Sequence, residues 1–257
     1  VDYLSVRDVN SSAGLAVVAR NSTESPASST LNWFFNGASM IWEGDVSTNW
    51  STAGNWDLGI VPVAGDTATV PDVAGSDPAL TAHVTVKKLT LSQAGSLLTL
   101  AGFNLTVNDS TSPALTNVGT VRLQGAEVLT ITSVSTAAGT FEYVGTGAAA
   151  TYVMSDISSS TDYYNVTFNG AAGDVFRTAA NITAANNVTM SGGTLDISTN
   201  ANTLTATGSL TVGAGSLTAT NGNIDANSHV IISGAGTLTA PGSGKTFTVA
   251  GNWTNTA

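Results

Sequence analysis

Apolar residues alternate with small polar ones along most of this chain. Leu195 and Ile197, Leu204 and Ala206, Leu210 and Val212, Leu217 and Ala219, Val230 and Ile232, and Phe247 and Val249 are each separated by one Asp, Thr or Ile. A period of two belongs to strands, whose successive side chains point to opposite faces. The runs are three to five residues long and are separated by Gly, Asn, Ser and Ala, which suit tight corners. No helix of any length is predicted.

The strands recur in register. Gly193-Thr-Leu-Asp-Ile, Gly215-Ser-Leu-Thr-Ala and Gly236-Thr-Leu-Thr-Ala restart at intervals of 22 and 21 residues. Gly95-Ser-Leu, Gly119-Thr-Val and Gly139-Thr-Phe restart at intervals of 24 and 20. Such a period is the signature of a solenoid. Sandwiches and barrels also use many short strands, but they join them as antiparallel hairpins and need no ladder of similar units. The predicted fold class is therefore all-β, a parallel β-helix (β-solenoid) with repeats of about 20–24 residues over 85–257. At about 4.8 Å per coil, this stretch makes on the order of eight coils and roughly 40 Å of rod.

The front of the chain breaks the pattern. Residues 1–40 carry three apolar runs, Tyr3 to Val6, Ala16 to Ala19 and Trp33 to Phe35, and read as an N-terminal β segment of one or two coils. Residues 41–84 contain Trp42, Trp50, Trp56, Pro62, Pro71 and Pro78, too much tryptophan and proline for regular coils, and read as a Trp/Pro-rich cap or junction. Val1 rather than Met at the first position points to a processed or excised product.

Composition narrows the function classes. Charged residues make up only 9% of the chain while hydrophobic ones reach 42%, so a fold is built from uncharged residues. Seven Lys and Arg against seventeen Asp and Glu leave a net charge of −10, with no basic cluster larger than Lys87-Lys88, which argues against a nucleic-acid partner. No apolar run approaches the roughly 20 residues of a membrane-spanning helix. Cysteine is absent, which removes disulfides and thiol chemistry and suits a cytosolic or a secreted protein alike.

The run Ile41-Trp42-Glu43-Gly44, then Asn49-Trp50, Asn55-Trp56 and Pro62 through Gly65-Asp66, followed by Leu-Thr-Leu and Leu-Thr-Val ladders, resembles secreted bacterial and archaeal repetitive β-solenoid surface proteins. These are adhesins, autotransporter-passenger-like solenoids and extracellular filament subunits. The resemblance covers most of the chain and implies an extracellular or cell-surface location, with the Trp/Pro segment opening one module and residues such as Asp2-Tyr3-Leu4 closing the preceding one. Partners are then a second copy of the chain, joined head to tail, and glycans or neighbouring cells.

A solenoid without a cap exposes unpaired strand edges, which recruit another chain. Val1 opens directly in a strand-like run, and Phe247 and Val249 lie near the other end, so neither end of the chain is well guarded. Joining unlike ends without closure makes an open filament. Val1, Tyr3, Leu4, Val6, Trp33, Phe35, Phe247, Val249 and Trp253 are the candidate assembly interface. Continuation within a longer polypeptide is the alternative, and both are structural roles.

Other chemistry is sparse. Trp42, Trp50 and Trp56 either plug the solenoid's apolar end or stack on sugar rings as a carbohydrate-binding adhesin module. Nine Asn-x-Ser/Thr sequons occur, with Asn10, Asn21, Asn104, Asn165 and Asn187 the candidate glycosylation sites. Asp57, Asp66, Asp72 and Asp77 are the acids nearest to a calcium set, but no calcium-loop repeat accompanies them. His83 and His229 have no metal-ligand spacing around them. Asp156, Asp162, Asp174 and Arg177 are the nearest grouping to a polysaccharide-cleaving site. No nucleophile elbow or phosphate loop occurs, and no enzyme and no cofactor are expected.

Overall fold

Side chains that alternate in and out, with a corner every few residues, close into a coil when successive turns hydrogen-bond to one another rather than folding back. The computed structural model describes residues 5–6, 17–19, 22–24, 33–35, 37–157 and 162–257, and over these it is a β-solenoid of about eight turns with three strand positions per turn. Every strand pairing is parallel; a lone bridge between Trp42 and Trp56 runs antiparallel.

The first position is one continuous eight-stranded sheet: Leu97–Thr99, Thr120–Leu123, Thr140–Tyr143, Asn165–Asn169, Val188–Gly192, Leu210–Val212, Val230–Ile232 and Trp253–Asn255. The second position comprises Val84–Val86, Leu105–Val107 and Leu129–Ile131, then a separate sheet of Thr151–Met154, Val175–Thr178, Thr194–Asp196, Ser216–Thr218 and Thr237–Thr239. The third begins with Ser39–Ile41, Thr67–Val70, Lys88–Leu91 and Leu115–Asn117, and resumes with Ile182–Ala184, Thr203–Ala206, Asn223–Ala226 and Phe247–Val249. In each coil the chain visits the three positions in that order.

Stacking places like residues over like. One column of the core reads Leu98, Val121, Phe141, Val166, Val188, Leu210, Val230 and Trp253, each in register with the next. All but the last are buried. Between them lie outward residues such as Thr167, Thr189 and Thr211. The recurring glycines have a steric reason. A Cβ at Gly119 would collide with the Ser96 carbonyl oxygen of the previous coil, and Gly215 combines a φ of +72° with an approach to the Gly193 carbonyl that no side chain tolerates.

The second sheet is interrupted between Ile131 and Thr151 and the third between Asn117 and Ile182, beside one stretch of the core. Aromatic rings fill it. Tyr143 stacks on Phe168 at 5.3 Å, Tyr152 on Phe176 at 5.6 Å, and Phe141 meets Tyr163 edge-on at 5.2 Å. The Tyr143 and Tyr163 hydroxyls bond each other at 2.8 Å, and burial pushes both phenols well above their ordinary pKa.

The front strands pair among themselves. Ser5–Val6 runs parallel to Thr23–Glu24, and Val17–Ala19 runs parallel to Trp33–Phe35. This is two rungs, including a Thr23–Glu24 strand too short and polar to show in the hydrophobic pattern. Val18 belongs to the same apolar core as the tryptophans, and Phe34 packs against it.

Replacing Phe168, fully buried in the aromatic layer, by Ala should cost about 3–5 kcal/mol, read as a lower denaturation midpoint. Thr167→Ala on the outer face of the same strand should stay within about 0.5 kcal/mol. Equal effects would contradict the assignment of inside and outside.

Candidate functional site

In a stack of parallel rungs the interior is sealed by construction, and chemistry is left to the outer faces and the two ends. The front end is built by residues 42–57. Trp42, Trp50 and Trp56 are 1, 1 and 2% exposed, with Trp56 edge-on to both Trp42 (5.2 Å) and Trp50 (4.7 Å). The Trp42 indole N–H donates to the Ser76 carbonyl at 2.7 Å, and that of Trp56 to the Trp50 carbonyl at 2.9 Å. Buried Asn55 ties the loop: its carbonyl accepts from the Val46 and Ser47 amides, and its amide donates to the Asn49 carbonyl.

The same loop closes the first strand edges at two places, Ile41 and Asn49. In a parallel pair, residues bond alternately to one neighbour and to the other. Trp42 donates to the Thr69 carbonyl, so Ile41 turns its N–H and C=O away from the next coil. Both are taken. The Ile41 amide donates to Asp57 Oδ1 at 2.9 Å, and the Asp57 amide donates to the Ile41 carbonyl at 3.0 Å. At the first position the column starts at Asn49, whose amide donates to Ser47 Oγ at 3.2 Å and whose carbonyl accepts from Thr52 at 3.1 Å. At the second position Val84–Val86 lies beside a slot lined by Val61, Pro62, Val63 and Ala64, where Pro62 has no N–H to give a ladder.

The back end is different. Leu238, Phe247, Val249 and Trp253 continue the inward columns of Leu217, Ile224, Ala226 and Val230, but among the described residues no further rung covers them. The first three are half-buried, and Trp253 is 49% exposed, edge-on to Phe247 at 5.4 Å. Thr237, Thr239, Thr246, Ala250, Asn252 and Thr256 bond backward to the preceding coil. By alternation the amides and carbonyls of Leu238, Phe247, Val249, Trp253 and Asn255 face forward.

Of the sequence-derived interface, Val1, Tyr3 and Leu4 lie outside the described residues, and of Val6 the backbone alone is described. Trp33 and Phe35 are half-buried, with ring centroids 6.2 Å apart and ring planes nearly parallel. The rest, Phe247, Val249 and Trp253, sit together on the last coil.

Several of the other candidates give a side-chain oxygen or nitrogen to the ladder. Asn10 and Asn21 lie outside the described residues. Asn104, Asn165 and Asn187 stand at corners and accept the amides of Val128, Asn187 and Ser209 in the next coil, at 2.9, 3.2 and 2.8 Å. His83 and His229 do the same through Nδ1, accepting from Asn104 and Asn252. Asp66 accepts from Ala38 and Val63. Burial, then the charge of Asp72, raises the Asp77 carboxyl above the usual range. Among the described residues no group of three acids or histidines is placed to hold a metal.

Asp156 and Asp162 line a crevice of about 10 Å³, which Asp174 and Arg177 do not line. Asp174 accepts from Gly147, Ala150 and Ala171, and Arg177 pairs with Asp196 at 3.2 Å. Burial opposes ionisation of Asp196, yet hydrogen bonds from Thr199, Arg177 and Ser198 outweigh it and hold the carboxyl below its usual range. Sequence reasoning missed Asp57, Asn49 and Asn55 as the residues that close the front, since nothing in a one-dimensional pattern links Asp57 to Ile41.

Residues 41–152 match the family model described as a Domain of unknown function (DUF8693), a span that opens at the tryptophan loop and runs through the first coils. No curated protein and no solved structure matches the chain. Among the described residues no helix is long and apolar enough to cross a membrane.

Asp57→Ala should speed hydrogen exchange at the Ile41 amide and cost about 1 kcal/mol of stability. Unchanged exchange at Ile41 would show that Asp57 does not guard this edge.

Proposed function

We propose that the chain is a structural protein, a subunit or module that extends end to end into a surface filament outside the cell. The observation that carries this is the back coil. It presents a row of forward-facing backbone groups together with Leu238, Phe247, Val249 and Trp253, which stand in register over the buried core. Backbone amides and carbonyls must be bonded somewhere, and an apolar parallel edge is completed best by another rung.

The outer faces support a mechanical role. They carry Thr, Asn and Ser in register, and the buried carboxylates Asp66, Glu127, Asp174 and Asp196 are committed to turns and ladders rather than converging on one point. Burial of the three tryptophans supports the plug over the sugar-stacking platform, because rings 1–2% exposed and packed edge-on have no open face for a sugar. The extracellular location rests on the resemblance to secreted repeat proteins.

Negative-stain electron microscopy of the native material tests this: filaments with an axial repeat equal to one chain are expected. Trp253→Lys, which puts charge on the open edge, should shorten or abolish them while leaving far-UV circular dichroism unchanged. Discrete single particles from the wild-type chain, or filaments indifferent to Trp253→Lys, would overturn the reading.

A further inference from the structure

Two successive coils of the rod are joined at two positions and split at the other. At the third position Thr67–Val70 pairs in full with Lys88–Leu91, and at the first Asn49, Ala79 and Thr99 bridge one another in succession. At the second, Val84–Val86 pairs with Leu105–Val107 in the next coil and, among the described residues, with no strand ahead of it. Residues 61–64 cross that position one coil earlier without joining the ladder. Their chemistry explains it: Pro62 has no N–H, and the Val63 amide is spent on Asp66 Oδ2 at 2.9 Å.

Between the two runs lies a groove, made of adjoining cavities of about 320 and 280 Å³ that share Ala64 and Thr85. The Val84 amide donates to the Asn104 carbonyl at 3.0 Å, and the Val86 carbonyl accepts from the Asn108 amide at 3.1 Å, so both valines face the next coil. By alternation Thr85 turns its amide and carbonyl to the groove, and among the described residues neither has a partner. Val61, Pro62 and Val63 make an apolar wall, with Val63 40% exposed. Lys87 and the exposed Asn108 and Ser110 line one end. Lys87 and Lys88 are the one adjacent basic pair in a chain of net charge −10, and Lys87 makes no ion pair among the described residues. The Asp109 carboxylate, which lies in the field of both lysines, accepts from the Thr111 amide at 3.0 Å.

A strand edge with a free amide and carbonyl beside an apolar wall is where an extended peptide adds as a further strand. We infer that the groove between residues 61–64 and 83–87 receives an extended segment of a separate polypeptide, laid beside Val84–Val86 with a carboxylate set against Lys87. Thr85 supplies two backbone hydrogen bonds, the wall of Val61, Pro62 and Val63 covers apolar side chains, and Lys87 selects an acidic residue at one end. The contact is on the flank of the rod and is independent of how chains meet end to end.

Hydrogen exchange of the full chain, resolved to single amides, tests it. The free Thr85 amide should exchange near the rate of an unstructured chain. The peptide acetyl-Thr-Val-Thr-Val-Thr-Glu-amide at about 1 mM should slow it about tenfold, as a Kd of about 100 µM requires. The same peptide ending in Lys should slow it at most about twofold, and Lys87→Glu should reverse that preference. The variant must keep the wild-type far-UV spectrum and a cooperative melt; if it does not, Lys87→Gln takes its place and should erase the preference. Four results would each overturn the inference: a Thr85 amide already protected in the free chain, no slowing by the acidic peptide, equal slowing by the lysine peptide, or equal slowing by the neutral sugar maltohexaose at the same concentration.

Discussion

A parallel β rung is complete only when it lies between two others. Each residue of the coil turns its amide and carbonyl to one neighbour, and the residues on either side turn theirs to the other. Inside the stack this satisfies the backbone and buries one continuous apolar column at the same time, as the run from Leu98 to Val230 illustrates. At the ends the same geometry leaves backbone and core uncovered together. The two ends respond to that differently: residues 42–57 close Ile41 and Asn49 with a side-chain acceptor and a tight turn and fill the front of the core with three large rings, while the last coil carries its rings uncovered.

The polar residues follow from the same constraint. A chain with few charges keeps them where corners have amides to satisfy. Glu127 gathers the amides of Gly102, Gln124 and Gly125, Asp174 those of Gly147, Ala150 and Ala171, and Asn104, Asn187 and His229 link one coil to the next. Carboxylates and imidazoles placed this way are turn and ladder elements. Arg122 with Glu142 and Arg177 with Asp196 likewise bridge adjacent coils on the outer surface.

The repeat was legible because the coil must restart at a fixed place. Gly119, Gly139, Gly193, Gly215 and Gly236 stand where the backbone of the previous coil leaves no room for a Cβ or where φ is positive, so the steric requirement is written into the sequence at the solenoid period. Inward residues were legible for the same reason, since Leu204, Ile224 and Phe247 occupy one column. The closure of the front was not. It depends on Asp57 reaching Ile41 and on Asn55 bonding a loop eight or nine residues away, pairings with no period to announce them. The aromatic layer around Tyr143, Tyr163 and Phe176 was also hidden, because it fills space opened by an irregular coil that no spacing rule anticipates. Thr23–Glu24, two polar residues paired as a strand, offered no hydrophobic signal.

The uncovered rung can be observed amide by amide. Hydrogen exchange followed by mass spectrometry or NMR should find the amides of Leu238, Phe247, Val249, Trp253 and Asn255 exchanging near the rates of an unstructured chain in dispersed protein. In the assembled state they should be protected to the level of the inner coils. Protection of these five amides in isolated single chains, or their rapid exchange within intact filaments, would contradict an open end that a further rung completes.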